Sequence, residues 1–149
     1  MKYIISFLLC LLSTNAISQT VWKTYHHKNG YTIQLPDYFT AGKPTEHGTL
    51  QLYGNNKNAR MYFSIETKGK CTPQQLQASF DNQSMIYPSV SYSLLKPTWY
   101  IVIGQMGAEM FYDKSIIKNG VVHNLRIHYP ATDKPLLDSL SAKIGASFL

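Results

Sequence analysis

MGAEMFYDKSIIKNGVVHNLRIHY, residues 106–129, is the stretch of the sequence that decides the fold. Two runs rich in β-forming residues flank Asn119 and Gly120. Asn-Gly suits a two-residue type I′ turn, because both central residues of that turn have φ > 0. The stretch therefore predicts one long antiparallel hairpin, with an arm that starts at Met106, a turn over residues 118–121 and a return arm that ends at Tyr129.

The turn also predicts which residues face one another across the hairpin. If Lys118 faces Val121, the count outward places Asp113 opposite Arg126. The same count pairs Ser115 with Asn124, Tyr112 with Ile127 and Met110 with Tyr129. Alternation then predicts an apolar face made by Met106, Ala108, Met110, Tyr112, Leu125, Ile127 and Tyr129. It predicts a charged face made by Glu109, Asp113, Arg126 and His128.

Residues 1–18 have the pattern of a secretory signal peptide. Lys2 precedes an apolar run from Tyr3 to Leu12, and Ala16-Ile17-Ser18 forms a small-x-small cleavage site before Gln19. The run is too short for the ~20 residues that span a bilayer, which favours a cleaved signal over an anchor. We therefore expect an exported protein, periplasmic or extracellular, with no stable membrane insertion after cleavage.

Residues 19–149 have the length of a single domain that folds without covalent cross-links. Cys71 is their only cysteine, so no internal disulfide is expected. The full chain carries a net charge of +6, but its lysines and arginines are scattered rather than clustered. Such scattering indicates a solvated surface and no nucleic-acid partner.

The remaining patterns predict further strands and two helices. Gly30 closes a second Asn-Gly turn, which predicts an opening hairpin of residues 21–27 and 31–35. Thr72 to Gln75 match a capping box with proline at the first helical position, which predicts a helix that ends near Asn82. A C-terminal helix is predicted from about Asp133. Its apolar stripe consists of Leu136, Leu137, Leu140, Ile144 and Phe148. Other strands are predicted at 49–53, 59–67, 87–95 and 98–104. The fold class is α+β, an antiparallel sheet covered by helices.

The order of these elements resembles a known family. The resemblance is carried by Gly30-Tyr31-x-Ile33-x-Leu35-Pro36-Asp37-x-Phe39, by the late hairpin entered at Gly107-Ala108, and by His128-Tyr129-Pro130 before a helix that closes on Ala146-Ser147-Phe148. This pattern is similar to the PsbP/Mog-type superfamily, which includes PsbP-like and DcrB-like proteins. The resemblance implies an α/β/α sandwich over residues 19–149 and a binding or assembly role, with no enzymatic activity and no functional residues to transfer.

The residues themselves indicate no catalytic, metal or cofactor site. His26 and His27 are adjacent on a strand, so they point to opposite faces, and no CxxC or HxxxH spacing occurs. Asp113 and His128 share a face and could act as acid and base, but a pair with Arg126 is the better interpretation of Asp113. Cys71 precedes a helix N-terminus, where a thiol is either reactive or part of a hydrophobic staple with Leu76.

Aromatic residues near turns are the remaining functional signal. Tyrosine and tryptophan are favoured at interfaces, although a β-rich core also contains them. The predicted partner-binding residues are Tyr38, Tyr53, Trp99 and Tyr100. We therefore expect a non-enzymatic exported module that recognises a protein partner. The alternative is a carrier of a small apolar or lipid-like ligand between the sheet and the C-terminal helix, lined by Met85, Met106 and Met110.

Overall fold

The computed structural model describes residues 20–28, 30–41, 50–56 and 59–149, with side chains from residue 60 onward and before residue 40. The predicted signal peptide lies outside this part of the chain. Nine strands are described: β1 (Trp22–His26), β2 (Thr32–Pro36), β3 (Phe39–Ala41), β4 (Leu50–Asn56), β5 (Ala59–Lys70), β6 (Ser89–Lys96), β7 (Trp99–Met106), β8 (Glu109–Lys118) and β9 (Val121–Pro130). Two α-helices accompany them, α1 (Pro73–Ile86) and α2 (Lys134–Ser147), with a 3₁₀ turn at Ala131–Asp133.

The strands form two antiparallel sheets. β1 and β2 make a separate hairpin, and the other seven lie in the order β3-β4-β5-β9-β8-β7-β6. β3 was not among the predicted strands. The aromatic ring of Phe39 enters the core. The predicted α+β architecture is confirmed.

The predicted register of the central hairpin is confirmed. Lys118 pairs with Val121 and Asp113 pairs with Arg126, and the other three predicted pairs are also present. One boundary was wrong. Gly107 has φ +61 and begins a turn, so Met106 belongs to β7 and faces Glu109, its partner in β8. Met106 and Ala108 therefore do not share the apolar face of Met110, because the chain reverses direction between them.

Helix α1 begins as predicted but is longer. The Thr72 hydroxyl accepts from the Gln75 backbone N–H at 3.2 Å, and the Gln75 side chain accepts from the Thr72 N–H at 2.9 Å. The helix continues past Asn82 to Ile86, where Pro88 ends it, since proline disfavours the helical conformation of the residue before it.

Helix α2 packs a slightly different stripe onto the sheet than the sequence predicted. Leu137, Ile144 and Phe148 are buried as expected, but Leu136 is 61% exposed. Ser141 and Gly145 are buried instead. The small residues Ser141 and Gly145 let the helix lie close to the sheet. Leu136 lies on the side of the helix that faces solvent.

The sheet has a large core on its α2 face and a small one on its α1 face. The larger core joins α2 and the sheet to the opening hairpin through Ile33 and Leu35. The backbone of Thr32 also exchanges two hydrogen bonds with Leu149, at 2.8 and 3.1 Å. The smaller core contains Leu76, Tyr100, Val102 and Phe111. The fold is therefore an α/β/α sandwich with unequal layers.

His123 is a fully buried histidine in the larger core. Its Nδ1 lies 2.9 Å from the Thr67 hydroxyl, and its ring lies 5.2 Å from the ring of Tyr31. Burial lowers the pKa of His123 below its usual 6.5, and the nearby His27 and Lys118 lower it further. There is therefore a pH range in which the His123 imidazole is neutral in the folded protein and protonated in the unfolded chain.

We expect this histidine to make the protein less stable in mild acid. The folded-state pKa is depressed, so its contribution is complete above about pH 6.5 and is lost as the pH falls from there toward the folded pKa. The measurement is the melting temperature at about pH 7.5 and about pH 5.5, for the wild type and for His123→Leu. On acidification, the melting temperature of the wild type should fall further than that of His123→Leu. Equal falls in melting temperature would show that His123 does not cause the acid sensitivity.

Candidate functional site

Helix α1 covers the sheet with polar side chains, unlike helix α2. Leu76 is its only buried residue, and Phe80 packs edge-on against Tyr100 at 5.6 Å between ring centres. Farther along the helix, Ser79 and Gln83 face the sheet at a cavity. A helix that serves only as a cover normally turns an apolar stripe to the sheet. The space beneath α1 is therefore a candidate site.

A buried carboxylate organises the polar groups beside this space. Asp113 accepts hydrogen bonds from the Tyr87 hydroxyl at 2.7 Å and from the Gln83 amide at 3.3 Å. The Arg126 Nε lies 3.3 Å from both carboxylate oxygens, which confirms the predicted pair. Burial and the Asp113 charge raise the pKa of Tyr87, so its hydroxyl stays protonated as a donor.

His128, the predicted alternative partner of Asp113, is engaged elsewhere. Its Nδ1 lies 3.5 Å from the Glu109 carboxylate. Asp113 is only 3% exposed and its oxygens already accept from three side chains, so it is held as a structural anion. In the described part of the chain, no three His, Cys, Asp or Glu side chains are placed to hold a metal ion.

The cavity beneath α1 has a volume of about 220 Å³. Its walls are the inner face of α1 and the neighbouring parts of β5, β7, β8 and β9. The lining residues are Lys68, Leu76, Ser79, Asn82, Gln83, Tyr100, Ser115, Val122 and Asn124. Amide and hydroxyl groups dominate this lining. Sequence reasoning missed the cavity, and the available signal was the small number of apolar residues in α1.

Cys71 lies at the start of α1 and packs against the smaller core. It is partly buried beside the cluster that contains Leu76, as a hydrophobic staple requires. Its thiol donates to the Thr72 carbonyl at 3.4 Å. Burial raises the pKa of the Cys71 thiol, which disfavours the reactive thiolate. Of the two interpretations of this cysteine, the structure favours the staple.

The three predicted partner-binding aromatics whose side chains are described do not form one surface. Tyr100 is 2% exposed beneath α1, and Trp99 lies on the opposite face of the sheet, partly buried. The Trp99 ring lies 5.7 Å from the Lys114 ammonium. Tyr38 stands near the other edge of the sheet, against Phe39. The Tyr53 side chain lies outside the described residues. A binding role for any of these residues remains a prediction.

The methionines proposed to line a carrier cavity are also dispersed. Met110 is buried in the larger core, whereas Met85 is 74% exposed at the end of α1. Met106 is exposed at the end of β7, on the α1 side of the sheet. The three side chains therefore do not line a common space between the sheet and α2.

An exposed apolar edge was not anticipated. β6 pairs only with β7 among the described strands, so its other edge is open. Ser89 pairs with Gln105 and Val90 with Gly104, which brings Met106 and the end of α1 to the same corner. We call this surface the β6 edge. It consists of the β6 backbone and the exposed side chains of Met85, Ile86, Val90, Tyr92 and Met106.

The β6 strand lacks the charged residues and prolines that commonly protect a sheet edge. Its sequence, SVSYSLLK, contains no charged residue before Lys96 and no proline. Natural edge strands normally carry charges or proline, because unpaired backbone groups invite pairing with another strand. The single irregularity is a bulge between Val90 and Tyr92. An open, uncharged edge of this length is suited to binding an extended segment.

Comparison with known proteins identifies the fold. No sequence-family model matches the chain, and no curated protein sequence matches it. Among solved structures, the cyanobacterial PsbP protein of Synechocystis is similar with a TM-score of 0.59 and 10% identity, over 93% of this chain and 98% of that one. A variant of the protein Mog1 gives a TM-score of 0.53 and 8% identity, over 87% and 95%.

A third similar structure is LpqN of Mycobacterium tuberculosis, which is described as involved in cell envelope biogenesis. It gives a TM-score of 0.52 and 12% identity, over 87% of this chain and 90% of that one. The molecule is thus an α/β/α sandwich built on an antiparallel sheet. Its fold is the PsbP/Mog fold, in agreement with the resemblance in the sequence. No helix in the described residues is long and apolar enough to cross a membrane.

Proposed function

We propose that this chain is an exported, non-enzymatic binding module of the cell envelope that recognises a protein partner through the β6 edge. The observation that carries the proposal is the open edge strand, which is uncharged from Ser89 to Leu95 and flanked by exposed apolar side chains. A partner segment that adds as a further strand would satisfy the unpaired backbone groups of β6.

The side chains around the edge supply contacts on both sides of an added strand. Cross-strand pairing places Val90 on the α1 side with its partner Gly104, and Tyr92 on the α2 side with its partner Ile103. The bulge between Val90 and Tyr92 interrupts the usual alternation, so the two side chains lie on opposite faces. Met85 and Ile86 extend the apolar surface on the α1 side. Methionine adapts to varied shapes, and tyrosine combines an apolar ring with a hydrogen-bonding tip. This surface is suited to a partner segment with apolar residues on both faces.

Export and a role in the envelope rest on two further observations. Residues 1–18 have the pattern of a cleaved secretory signal. LpqN, which shares the fold, is described as involved in cell envelope biogenesis. A shared fold alone does not transfer activity. These two observations therefore support export to the envelope, and the recognition of a partner is supported by the β6 edge.

The partner can be captured by cross-linking in the source cells. A photo-crosslinking amino acid in place of Tyr92 should give a defined adduct in the exported fraction, and the cross-linked peptide of the partner should be an extended segment. The matched control carries the same amino acid in place of Leu136, which is 61% exposed on α2 at the outer side. Identical adducts at both positions, or none at Tyr92, would refute the assignment of the edge.

Charge at the edge should weaken recognition strongly without unfolding the protein. We expect the double variant Val90→Lys, Tyr92→Lys to bind the captured partner at least about tenfold more weakly, because lysine on an edge strand opposes strand addition. Exposed substitutions of this kind change stability by about 0.5 kcal/mol. Leu136→Lys is the control, and its affinity should equal that of the wild type. Calorimetric titration measures the affinities, and thermal unfolding measures the stabilities.

A further inference from the structure

The two ends of the β6 edge carry features that match each other. Met85 and Ile86, in the last turn of α1, are 74% and 73% exposed, and Val90 follows them at the start of β6, also exposed. We call these three side chains the apolar projection. At the other end, the start of α1 and the end of β6 form a groove of about 500 Å³. The residues that line this end groove are Pro73, Gln74, Gln77, Leu95, Lys96 and Pro97.

The apolar projection and the end groove lie on the same side of the sheet. Val90 pairs with Gly104, which lies against the Phe111 ring, and Leu95 pairs with Tyr100. Phe111 and Tyr100 belong to the smaller core, so both features are on the α1 side. The eight residues of β6 separate them by roughly 23 Å. A chain therefore cannot bring its own projection into its own groove.

A second copy of the chain can make this contact. A two-fold axis perpendicular to the sheet places the second β6 strand antiparallel to the first and exchanges the ends of the strands. Each apolar projection then lies opposite the end groove of the other copy, and the same contact forms twice. A symmetric dimer requires a surface that complements itself, and the β6 edge meets this condition.

The side-chain directions in β6 indicate where the axis passes. Residues that face each other across two strands point to the same side of the sheet. Tyr92 and Leu94 both point to the α2 side, because their β7 partners Ile103 and Ile101 pack against the larger core. An axis at Ser93 pairs Tyr92 with Leu94 of the second copy. Ser91 is the extra residue of the bulge, so the same register lets Val90 face Leu95 of the second copy on the α1 side.

The single charged residue of β6 favours this antiparallel arrangement. Lys96 ends the strand, and with the axis at Ser93 it faces Ser89 of the second copy. The two Lys96 residues then lie roughly 20 Å apart, beyond the screening length of about 8 Å at physiological ionic strength. Parallel pairing in register would place the two lysines side by side, where like charges repel.

We propose that two copies of this chain pair through their β6 edges as a two-fold dimer with its axis at Ser93. The inference rests on the proposed function, because it uses the same open edge for strand addition. Pairing satisfies the unpaired backbone groups of β6 and joins two seven-stranded sheets into one. A different protein partner must then displace the second copy to reach the edge.

Sedimentation equilibrium on the protein purified from the exported fraction of expressing cells tests the dimer. At about 100 μM the wild type should be dimeric, since this concentration detects even a weak interface. The double variant Met85→Lys, Ile86→Lys should weaken dimerisation at least about tenfold, because its lysines meet Lys96 in the end groove. Lysine also suits the last turn of a helix, so the monomer should stay folded. Leu136→Lys is the control, and its dimerisation should equal that of the wild type. A monomeric wild type, or a dimer that the double variant does not weaken, would overturn the proposal.

Ser93→Cys tests the position of the axis. The two cysteines would face each other across the axis, so oxidation should link the copies by a disulfide. Ser89→Cys is the matched control on the same strand, because its two cysteines would lie roughly 20 Å apart. Both variants also carry Cys71→Ala, which removes the natural thiol. Equal linking of the two variants would overturn the proposed register.

Self-association and recognition of another partner can fail separately. A monomeric protein whose Tyr92 position still cross-links to a different chain would refute the dimer and support the proposed function. A dimer whose Tyr92 position cross-links only to its own chain would support the dimer and refute recognition of another partner.

Discussion

Asp113→Leu should lower the free energy of unfolding by about 2–4 kcal/mol, because two partly buried donors lose their shared acceptor at a cost of about 1–2 kcal/mol each. The carboxylate accepts from Tyr87, Gln83 and Arg126, and it is only 3% exposed. The Arg126 side chain is half exposed and can return to water. The loss therefore falls mainly on the Tyr87 hydroxyl and the Gln83 amide, which remain as partly buried donors without an acceptor.

Urea unfolding of the wild type and the variant measures this loss. Asp81→Leu is the matched control, since Asp81 is an exposed aspartate of α1 whose carboxylate accepts from Gln77 at 2.9 Å. Its effect should stay near 0.5 kcal/mol, as is usual for surface positions. Similar losses in the two variants would show that the Asp113 network contributes no more than a surface contact does.

The sequence predicted the central hairpin well because turn chemistry is local. Asn119 and Gly120 both have positive φ, at 52° and 74°, as a type I′ turn requires. Once that turn is placed, strand geometry determines each pair outward to Tyr129. The capping box at Thr72 was predictable for the same reason, since its two hydrogen bonds join residues three apart.

The site features were harder to predict because they depend on distant parts of the chain. The cavity beneath α1 exists because Gln83 lies across from Ser115 and Asn124, and no local pattern gives that distance. The open edge depends on β6 being last in the strand order. The aromatic residues chosen near turns were a compositional signal only, and the structure places Trp99 and Tyr100 on opposite faces.

Gly145 explains how α2 comes close enough to the sheet to form the larger core. A Cβ atom at this position would overlap the ring and hydroxyl of Tyr112, which is 5% exposed and has no room to move away. The same turn of the helix is held from the sheet side. The buried Lys114 ammonium donates to the Gly145 carbonyl at 2.9 Å and to the Phe148 carbonyl at 2.8 Å. Any side chain at 145 must therefore push α2 against these bonds.

We expect Gly145→Val to lower the free energy of unfolding by about 3 kcal/mol, at the upper end of the cost of overpacking a core. Ala146→Val is the matched control, because residue 146 is exposed on the same turn and receives the same side chain. Its free energy of unfolding should fall by less than about 1 kcal/mol, mainly because valine has a lower helix propensity than alanine. A double-mutant cycle with Tyr112→Leu then tests the cause. If the clash is the reason, Gly145→Val costs less when the phenol is absent, whereas an unchanged cost would place the strain elsewhere in the helix.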